Sequence, residues 1–462
     1  MQNAAGAVFA YADLLLIILK SSKMKKRKSI NGEGSSMKKT TEVKNEIAQG
    51  CLDARLNDIY VDETLLSYQK DRYLAAIARF ESLYGEKDIE IYSAPGRSEV
   101  GGNHTDHQHG QVLAAGLNLD LIAVVAKTDD GVIRIVSDDK TIDPIDTKDP
   151  AKKDEEEGTS QALIRGVVAR LQEDNYATGG FECFMTSDVL RGSGMSSSAA
   201  FEVAIGTILS GLYNNMEISP VYIAQASQYA ENVYFGKPSG LMDQMASSVG
   251  SLVNIDFKDP KDPLIRKVDV DFATFHHSLC IVDTKGDHAN LTPEYAAIPE
   301  ELKKLCSYFG CDYLRELDEK RFYDDLTGAR RAAGDRAVLR AMHVYDDNKR
   351  VSLQVEALQD GRFDDFKDLI IESGRSSFQY LQNVYPNSDV QNQSVSIGLA
   401  LSERFLKGKG AWRVHGGGFA GTIQAFVPDE MVESYRLEMD RCFGEGSCRV
   451  LKVRKYGGMQ VL

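Results

Sequence analysis

Residues 192–200 spell Gly-Ser-Gly-Met-Ser-Ser-Ser-Ala-Ala, between a predicted strand at Phe181–Ser187 and a predicted helix that starts near Ala199. Glycine lets the backbone turn tightly against a ligand, and short hydroxyl side chains add hydrogen-bond donors. The helix that follows would direct its unpaired first amides and the positive end of its dipole at the loop. This arrangement is typical of a phosphate-binding loop.

The alternative interpretation of this loop is a Ser/Gly-rich turn with an ordinary serine N-cap, and the loop alone does not separate the two. It matches neither the Walker pattern, because no Gly-Lys-Ser/Thr occurs, nor the dinucleotide GxGxxG pattern. The candidate nucleotide-binding residues are Gly192, Ser193, Gly194, Met195, Ser196, Ser197, Ser198 and Ala199.

Two further glycine-containing segments flank the loop at a distance. Residues 95–106 spell Pro-Gly-Arg-Ser-Glu-Val-Gly-Gly-Asn-His-Thr-Asp, and residues 415–421 spell His-Gly-Gly-Gly-Phe-Ala-Gly. In this order the three segments resemble the sugar signature, the phosphate loop and the C-terminal glycine-rich motif of the galactokinase family of GHMP kinases. The resemblance extends from about residue 90 to about residue 455.

Strands and helices alternate in two blocks, which predicts an α+β protein of two domains. The resemblance implies a ribosomal-S5-like N-terminal domain at 41–270 and a ferredoxin-like C-terminal domain at 271–462, with ATP and sugar between them. Hydrophobic spacing predicts a helix over 63–84. Strands are predicted at Ile89–Ala94, Leu119–Lys127 and Val132–Ser137, and a charged surface loop at Asp143–Gly158.

Asp243 is the one carboxylate in the small, apolar run Gly240-Leu241-Met242-Asp243-Gln244. A buried acid in such a run needs a partner or a proton, although an isolated aspartate after glycine also suits a helix cap. The resemblance implies that Asp243 lies beside the anomeric hydroxyl of the sugar as a base or electrostatic group. It also implies that Arg97 keeps Asp243 ionised.

Mg²⁺ requires hard oxygen ligands, and Ser198 and Glu231 are the candidates. Ser198 ends the hydroxyl run, and Glu231 lies on a predicted helix twelve residues before Asp243, at the spacing of the family's magnesium glutamate. A lone glutamate on a helix otherwise lies on a solvated face.

The resemblance implies that His104 and Asp106 form hydrogen bonds with sugar hydroxyls, together with Asn103 and Tyr295. A competing interpretation is a metal site made of His104, Asp106, His107 and His109. These four residues do not complete a familiar zinc spacing with any other His or Cys pair.

The chain departs from the family pattern near Thr159 and Leu163, where a Trp/Tyr pair of the family is replaced, and at three places within the quoted motifs. Galactokinases commonly have Glu where this chain has Asn103, Val-Asn-Leu-Ile at 98–101, and Thr where this chain has His415. In this chain residues 98–101 are Ser-Glu-Val-Gly. The family glutamate accepts a hydrogen bond from the sugar's 6-hydroxyl, whereas an asparagine can also donate. A direct contact from Asn103 would therefore weaken discrimination against galacturonate.

The composition excludes several classes of partner. The 462 residues are 43% hydrophobic and carry 54 basic against 68 acidic side chains, a net charge of −14. This charge disfavours nucleic acid and anionic membranes as partners but leaves ATP possible, since one helix end and Mg²⁺ act locally.

Seven cysteines without a CxxC pair indicate reduced thiols in a cytoplasmic protein. Residues 1–40 are expected to be a disordered or mis-assigned N-terminal extension.

The resemblance implies an ATP- and Mg²⁺-dependent kinase that phosphorylates the anomeric hydroxyl of galactose, and we expect a monomer or weak homo-oligomer. One alternative is a GHMP kinase for galacturonate, glucuronate or an amino sugar. The other is a galactose sensor without catalytic activity. Such a sensor lacks part of the Ser-Ser-Ser-Ala run, and this chain retains Ser196 to Ala199, which favours the enzyme.

Overall fold

The structure is a computed structural model that describes residues 37–189, 195–237, 239–260, 262–286 and 291–462. The predicted nucleotide-binding residues Gly192, Ser193 and Gly194 therefore lie outside the described residues, as do residues 1–36 of the predicted extension.

The α-helices are α1 (Thr40–Ala48), α2 (Asp53–Tyr60), α3 (Leu66–Tyr84), α4 (Ser160–Glu173), α5 (Ser197–Asn214), α6 (Pro220–Tyr229), α7 (Met242–Val249), α8 (Thr292–Phe309), α9 (Glu319–Asp324), α10 (Leu326–Ala333), α11 (Asp335–Gln359), α12 (Phe363–Ser376), α13 (Ser394–Leu406) and α14 (Val432–Phe443). The strands are β1 (Lys38–Lys39), β2 (Asp88–Gly101), β3 (Gln111–Lys127), β4 (Val132–Ser137), β5 (Lys140–Asp146), β6 (Phe181–Ser187), β7 (Leu252–Asp256), β8 (Leu264–Val268), β9 (His277–Asp283), β10 (Ala411–Val414), β11 (Thr422–Pro428), β12 (Cys448–Leu451) and β13 (Met459–Gln460). Two π-helical segments are Ala230–Phe235 and Ser377–Leu381.

A nine-stranded sheet organises the N-terminal half. Its order is β1-β2-β3-β6-β4-β5, with β13 paired to β2, and β7 paired to both β3 and β8. One face of β2 and β3 packs against α1, α2 and α3. The other face packs in the main core, to which α4 and α5 contribute. Because β2 and β3 are covered on both faces, almost every residue along them is buried.

A four-stranded antiparallel sheet of order β10-β11-β9-β12 organises the C-terminal half. Helices α8, α10 and α11 form a separate core beside it. The chain then returns to the first sheet, where Met459 of β13 pairs with Ser93 of β2. The α+β class is confirmed, and the division between the sheets falls between β8 and β9. The boundary at residue 270 stays a prediction.

Strand β2 is longer than the sequence indicates, because it continues through Pro95 and Gly96 as far as Gly101. A register shift against β3 between Pro95 and Arg97 accommodates the proline. A Cβ at Gly96 would lie 3.0 Å from the carbonyl oxygen of Met195. Glycine here therefore lets β2 approach Met195 of the candidate phosphate loop, and the Arg97 amide donates to that carbonyl at 3.2 Å.

The predicted surface loop at Asp143–Gly158 is wrong at its start, where β5 forms an edge strand. Ile142 and Ile145 are almost completely buried and hold this charged strand on the core. An edge position also tolerates Pro144, since one side of the strand pairs with no neighbour.

No helix within the described ranges has the length and hydropathy needed to cross a membrane. All seven cysteines occur as free thiols.

Candidate active site

Arg97 and Asp243 form a two-pronged ion pair at the centre of the site. Arg97 lies on β2, and Asp243 lies in the first turn of α7. The Arg97 Nε donates to Oδ1 of Asp243 at 2.7 Å, and Nη2 donates to Oδ2 at 3.0 Å. The Asp243 side chain is 33% exposed, against 10% for Arg97. The carboxylate is thus fixed in position and still open to a ligand.

Asp243 is also tied to the candidate phosphate loop, because the Ser196 hydroxyl donates to Oδ2. Ser196 has φ 55°, in the left-handed region that non-glycine residues seldom adopt, immediately before α5. Burial acts to raise the pKa of Asp243, but the charge and hydrogen bonds of Arg97 and the bond from Ser196 lower it below its ordinary value. Asp243 is therefore an anion at neutral pH.

A cavity of about 190 Å³ opens on this carboxylate. Its lining brings together four residues that the sequence predicts for the site: Arg97, His104, Asp106 and Asp243. A second, larger cavity of about 800 Å³ is lined by Ser197, Ser198 and Phe201 of α5, with Thr159 and Leu163 opposite. The start of α5 therefore faces a space large enough for a nucleotide.

His104 is a neutral imidazole in a defined tautomer. Its Nε2 lies 3.0 Å from the Gly417 carbonyl oxygen, which only accepts, so Nε2 carries the proton. Burial and the neighbouring His107 lower the pKa of His104 to about 4. Nδ1 is then an acceptor, and it is buried without a hydrogen-bond partner in the described structure. An unpartnered acceptor in the cavity wall suits a sugar hydroxyl.

Asp106 lines the same cavity and lies close to Gly240. A Cβ at Gly240 would lie 3.1 Å from Oδ2 of Asp106, so a side chain there would crowd the carboxylate. Oδ1 accepts from the backbone amide of His107 at 2.9 Å, which fixes the side chain. Asp106 thereby presents an oriented acceptor to the cavity.

Asn103 is not among the residues that line the cavity, and its direct contact with the sugar stays a prediction. Its side chain is completely buried. Nδ2 donates to Glu99 Oε1 at 3.1 Å and to the Gly416 carbonyl at 2.7 Å. Oδ1 accepts from Ser377 Oγ at 3.2 Å and from Asn383 Nδ2 at 2.8 Å. All four hydrogen-bonding positions of the amide are occupied by protein, so Asn103 positions the loops around the site.

Tyr295 lies behind the glycine-rich segment and is not among the residues that line the cavity. Its hydroxyl donates to the Gly418 carbonyl at 2.8 Å. A Cβ at Gly417 would lie 2.7 Å from the Tyr295 ring, so this glycine allows the close packing. The structure therefore places Tyr295 as a support for Gly417 and Gly418.

Of the two predicted magnesium residues, Glu231 belongs to a hydrogen-bonded group of polar side chains, and Ser198 lies near it on α5. Glu231 lies on the π-helical segment Ala230–Phe235, and such segments are frequent at functional sites. Its Oε1 accepts from Lys237 Nζ at 2.8 Å, and its Oε2 accepts from Gln244 Nε2 at 2.7 Å. Gln244 also donates to Glu202 at 3.3 Å. Glu202 lies one turn after Ser198 on α5, so all these groups face one region.

The group offers carboxylate oxygens of the kind that a hard divalent cation prefers, and Lys237 pairs with Glu231 at its edge. Oε1 of Glu202 and Oε1 of Gln244 are buried without a hydrogen-bond partner among the described residues. Burial and the charge of Glu231 raise the pKa of Glu202 well above its ordinary value. A Mg²⁺ ion near Glu231 would supply positive charge to this acidic cluster, and hydroxyl and carboxylate oxygens are its preferred ligands.

The competing metal site near His104 is not supported. Within the described residues, no three or more His, Cys, Asp or Glu side chains are arranged to hold a metal ion. His109 turns away and stacks on Tyr313, with ring centroids 3.6 Å apart.

Two residues of the site are missed by sequence reasoning. Glu99 lines the same cavity as Asp243, although the sequence marks it only as a departure from the family pattern. Glu202 is the one charged residue of α5, and a lone acid in such an apolar helix is the signal that would have identified it.

Comparison with known proteins agrees with this geometry. The "GHMP kinases N terminal domain" matches residues 162–251, and the "Galactokinase galactose-binding signature" matches residues 78–127. Galactokinase of Actinobacillus pleuropneumoniae is 32% identical over 363 residues, or 78% of this chain and 91% of that protein. Galactokinase of Streptomyces coelicolor is 29% identical over 377 residues, or 81% of this chain and 94% of that protein.

The fold agrees as well. The crystal structure of Lactococcus lactis galactokinase complexed with galactose superposes with a TM-score of 0.69 at 22% identity, covering 83% of this chain and 98% of that one. The predicted two-domain GHMP kinase fold is confirmed. Because a relative 32% identical covers 78% of the sequence, and the matched signature holds Arg97, His104 and Asp106, the chain belongs to the galactokinase family of GHMP kinases.

Proposed function

We propose that this protein transfers the γ-phosphoryl group of ATP to the anomeric hydroxyl of galactose, giving galactose 1-phosphate and ADP. The observation that carries the proposal is the position of Asp243. It is an ionised carboxylate held by Arg97, bonded to Ser196 of the phosphate loop, and open to a sugar-sized cavity. An acceptor for a hydroxyl proton thus lies beside a phosphate-binding element.

Phosphoryl transfer needs mostly positioning and charge stabilisation. Asp243 orients the anomeric hydroxyl and accepts its proton as the oxygen attacks the γ-phosphorus. Arg97 keeps Asp243 ionised and offsets negative charge near the transferring group. The amides at the start of α5 bind the phosphates of ATP. His104 Nδ1 and Asp106 accept hydrogen bonds from other hydroxyls and orient the sugar.

Ser198 and Glu231 would hold Mg²⁺. When bound there, the ion would supply positive charge opposite the phosphates of ATP. Gln244 positions Glu231 by a hydrogen bond, and Glu202 accepts from the same Gln244 amide.

A coupled ADP-release assay over a panel of monosaccharides tests the proposal. The panel contains galactose, glucose, galacturonate, glucuronate, galactosamine and mevalonate. We expect galactose to give the highest kcat/KM. Binding of ATP and galactose without ADP release would establish the sensor instead, and turnover confined to another sugar would replace galactose as the substrate.

We expect Glu231→Gln to raise the Mg²⁺ concentration for half-maximal rate by about tenfold, because one anionic ligand becomes neutral. Glu217→Gln, at an exposed position, is the matched control and should leave the titration unchanged. An unchanged titration in Glu231→Gln would return Glu231 to a structural role.

Ser196→Ala should shift the acid limb of the kcat/KM pH profile to higher pH. The Ser196 hydrogen bond lowers the pKa of Asp243, so its loss raises that pKa and narrows the range in which Asp243 is ionised. The plateau should fall by up to about a hundredfold, the upper value for a hydrogen bond to a charged group. Ser196→Gly, which suits the left-handed backbone, should shift the limb equally. If neither variant moves it, the Ser196–Asp243 bond has no role in catalysis.

A further inference from the structure

Glu99 lies on the same side of β2 as Arg97. Residues 97, 98 and 99 pair in regular register with Gly116, Ala115 and Ala114 of β3. Alternate residues of a strand share a face, so the Cα atoms of Arg97 and Glu99 are about 6.6 Å apart along the strand. Both side chains line the 190 Å³ cavity. Glu99 therefore reaches the sugar cavity at a point away from Asp243. Asp243 lies where the anomeric end of the sugar is expected.

The Glu99 carboxylate is held through one oxygen. Oε1 accepts from the Arg413 guanidinium and from Asn103 Nδ2. Oε2 forms no hydrogen bond to the described part of the chain. The carboxylate thus presents an unused acceptor in the cavity wall.

Arg413 explains why an acid is needed at this position. Its side chain has no exposed surface, and Glu99 is its carboxylate partner. A buried guanidinium without an anion is strongly unfavourable. Burial raises the pKa of Glu99, and the charge of Arg413 opposes that rise. The pair fixes both the position and the direction of Oε2.

The contact between Glu99 and Asn103 joins two departures from the family pattern. In the family pattern that this chain resembles, Asn stands opposite Glu99 and Glu stands opposite Asn103, whereas this chain has Glu and Asn. The two side chains touch here at 3.1 Å, so this chain retains one amide and one carboxylate with their positions exchanged. The amide at 103 is consumed by protein contacts, and the carboxylate that faces the cavity comes from residue 99.

We propose that Glu99 is a specificity-determining residue, whose Oε2 accepts a hydrogen bond from a sugar hydroxyl remote from the anomeric carbon. The inference rests on the proposed function. The negative charge of Glu99 also repels sugar acids. Galacturonate is therefore excluded by Glu99 rather than admitted by Asn103.

Glu99→Gln tests the proposal because the structure fixes how the amide must turn. Arg413 and Asn103 both donate, so the glutamine oxygen takes the place of Oε1 and its NH₂ group takes the place of Oε2. The cavity wall then changes from an acceptor to a donor without a change of shape. The matched control is Glu90→Gln, a buried acid of the same strand that bonds to Tyr92 outside the cavity.

The measurement is kcat/KM for galactose and for its 2-, 3-, 4- and 6-deoxy forms. In the wild type we expect one of the 3-, 4- or 6-deoxy sugars to have a kcat/KM about tenfold to a hundredfold lower than that of galactose, the range for a hydrogen bond to a charged group. We call this loss of kcat/KM the penalty of that deoxy sugar. In Glu99→Gln that penalty should shrink to a few-fold, while the 2-deoxy penalty and all penalties in Glu90→Gln stay unchanged.

Glu99→Asp provides a second variant should the glutamine form fold poorly, as judged by its melting temperature. Aspartate keeps the charge opposite Arg413 but withdraws the acceptor by one methylene, so the same penalty should shrink. Deoxy penalties equal to those of the wild type in the folded variants would overturn the assignment of Glu99 alone. A wild type that does not phosphorylate galactose would instead refute the proposed function and this inference with it.

Discussion

Asp243→Asn should lower kcat by about a hundredfold to ten-thousandfold, the loss expected for a positioned general base. The amide retains the shape of the carboxylate and an oxygen for Arg97 or Ser196, but it cannot accept the hydroxyl proton as an anion does. Sugar affinity should remain within a few-fold, because His104 and Asp106 are untouched. The measurement is steady-state kinetics, with galactose binding followed by calorimetry.

Asp130→Asn is the control for this variant. Asp130 is an exposed carboxylate that pairs with Arg134 on the surface, so its loss should leave kcat unchanged. A folded Asp243→Asn protein that retained more than about a tenth of the wild-type rate would remove Asp243 from the catalytic role.

Arg97→Met should lower kcat/KM by about a hundredfold to a thousandfold, the loss seen when a preorganised charge-stabilising donor is removed. Two effects combine. The transferring phosphoryl group loses a nearby cation, and the pKa of Asp243, which Arg97 holds below its ordinary value, rises. The acid limb of the pH profile should therefore move to higher pH than in Ser196→Ala.

Arg97→Lys separates charge from geometry. Lysine keeps the positive charge but cannot form the two parallel bonds to Asp243, so its rate should fall between those of wild type and Arg97→Met. Rates within tenfold of wild type for Arg97→Met, with an unmoved acid limb, would show that Arg97 serves only packing.

Local sequence patterns predict some elements with their bounds. Strands β4 and β6 begin and end where the alternation of apolar residues and the flanking turns place them. Helices α1 and α2 were not predicted, because their buried residues Val43, Ile47 and Leu56 lie in mostly polar sequence. The sequence predicts an end of strand β2 at Ala94, because Pro95-Gly96 is typical of a turn, and only pairing with β3 reveals the continuous strand.

The candidate site likewise contains contacts that local sequence patterns do not predict. Arg97 and Asp243 are 146 residues apart, so only the resemblance to a known family suggested their contact. The burial of Asn103 was not predictable, because Ser377 and Asn383, which saturate its oxygen, come from sequence 274 and 280 residues later. The coupling of Glu99 to Asn103 likewise depends on the fold of a short loop and on Arg413.

The most direct test of the central claim is to identify the product by ³¹P and ¹H NMR after incubating the purified protein with ATP, Mg²⁺ and galactose. The account predicts one galactose 1-phosphate for each ADP, with the new phosphorus resonance coupled to the anomeric proton. Phosphate on any other carbon, or ADP released without a phosphorylated sugar, would contradict it.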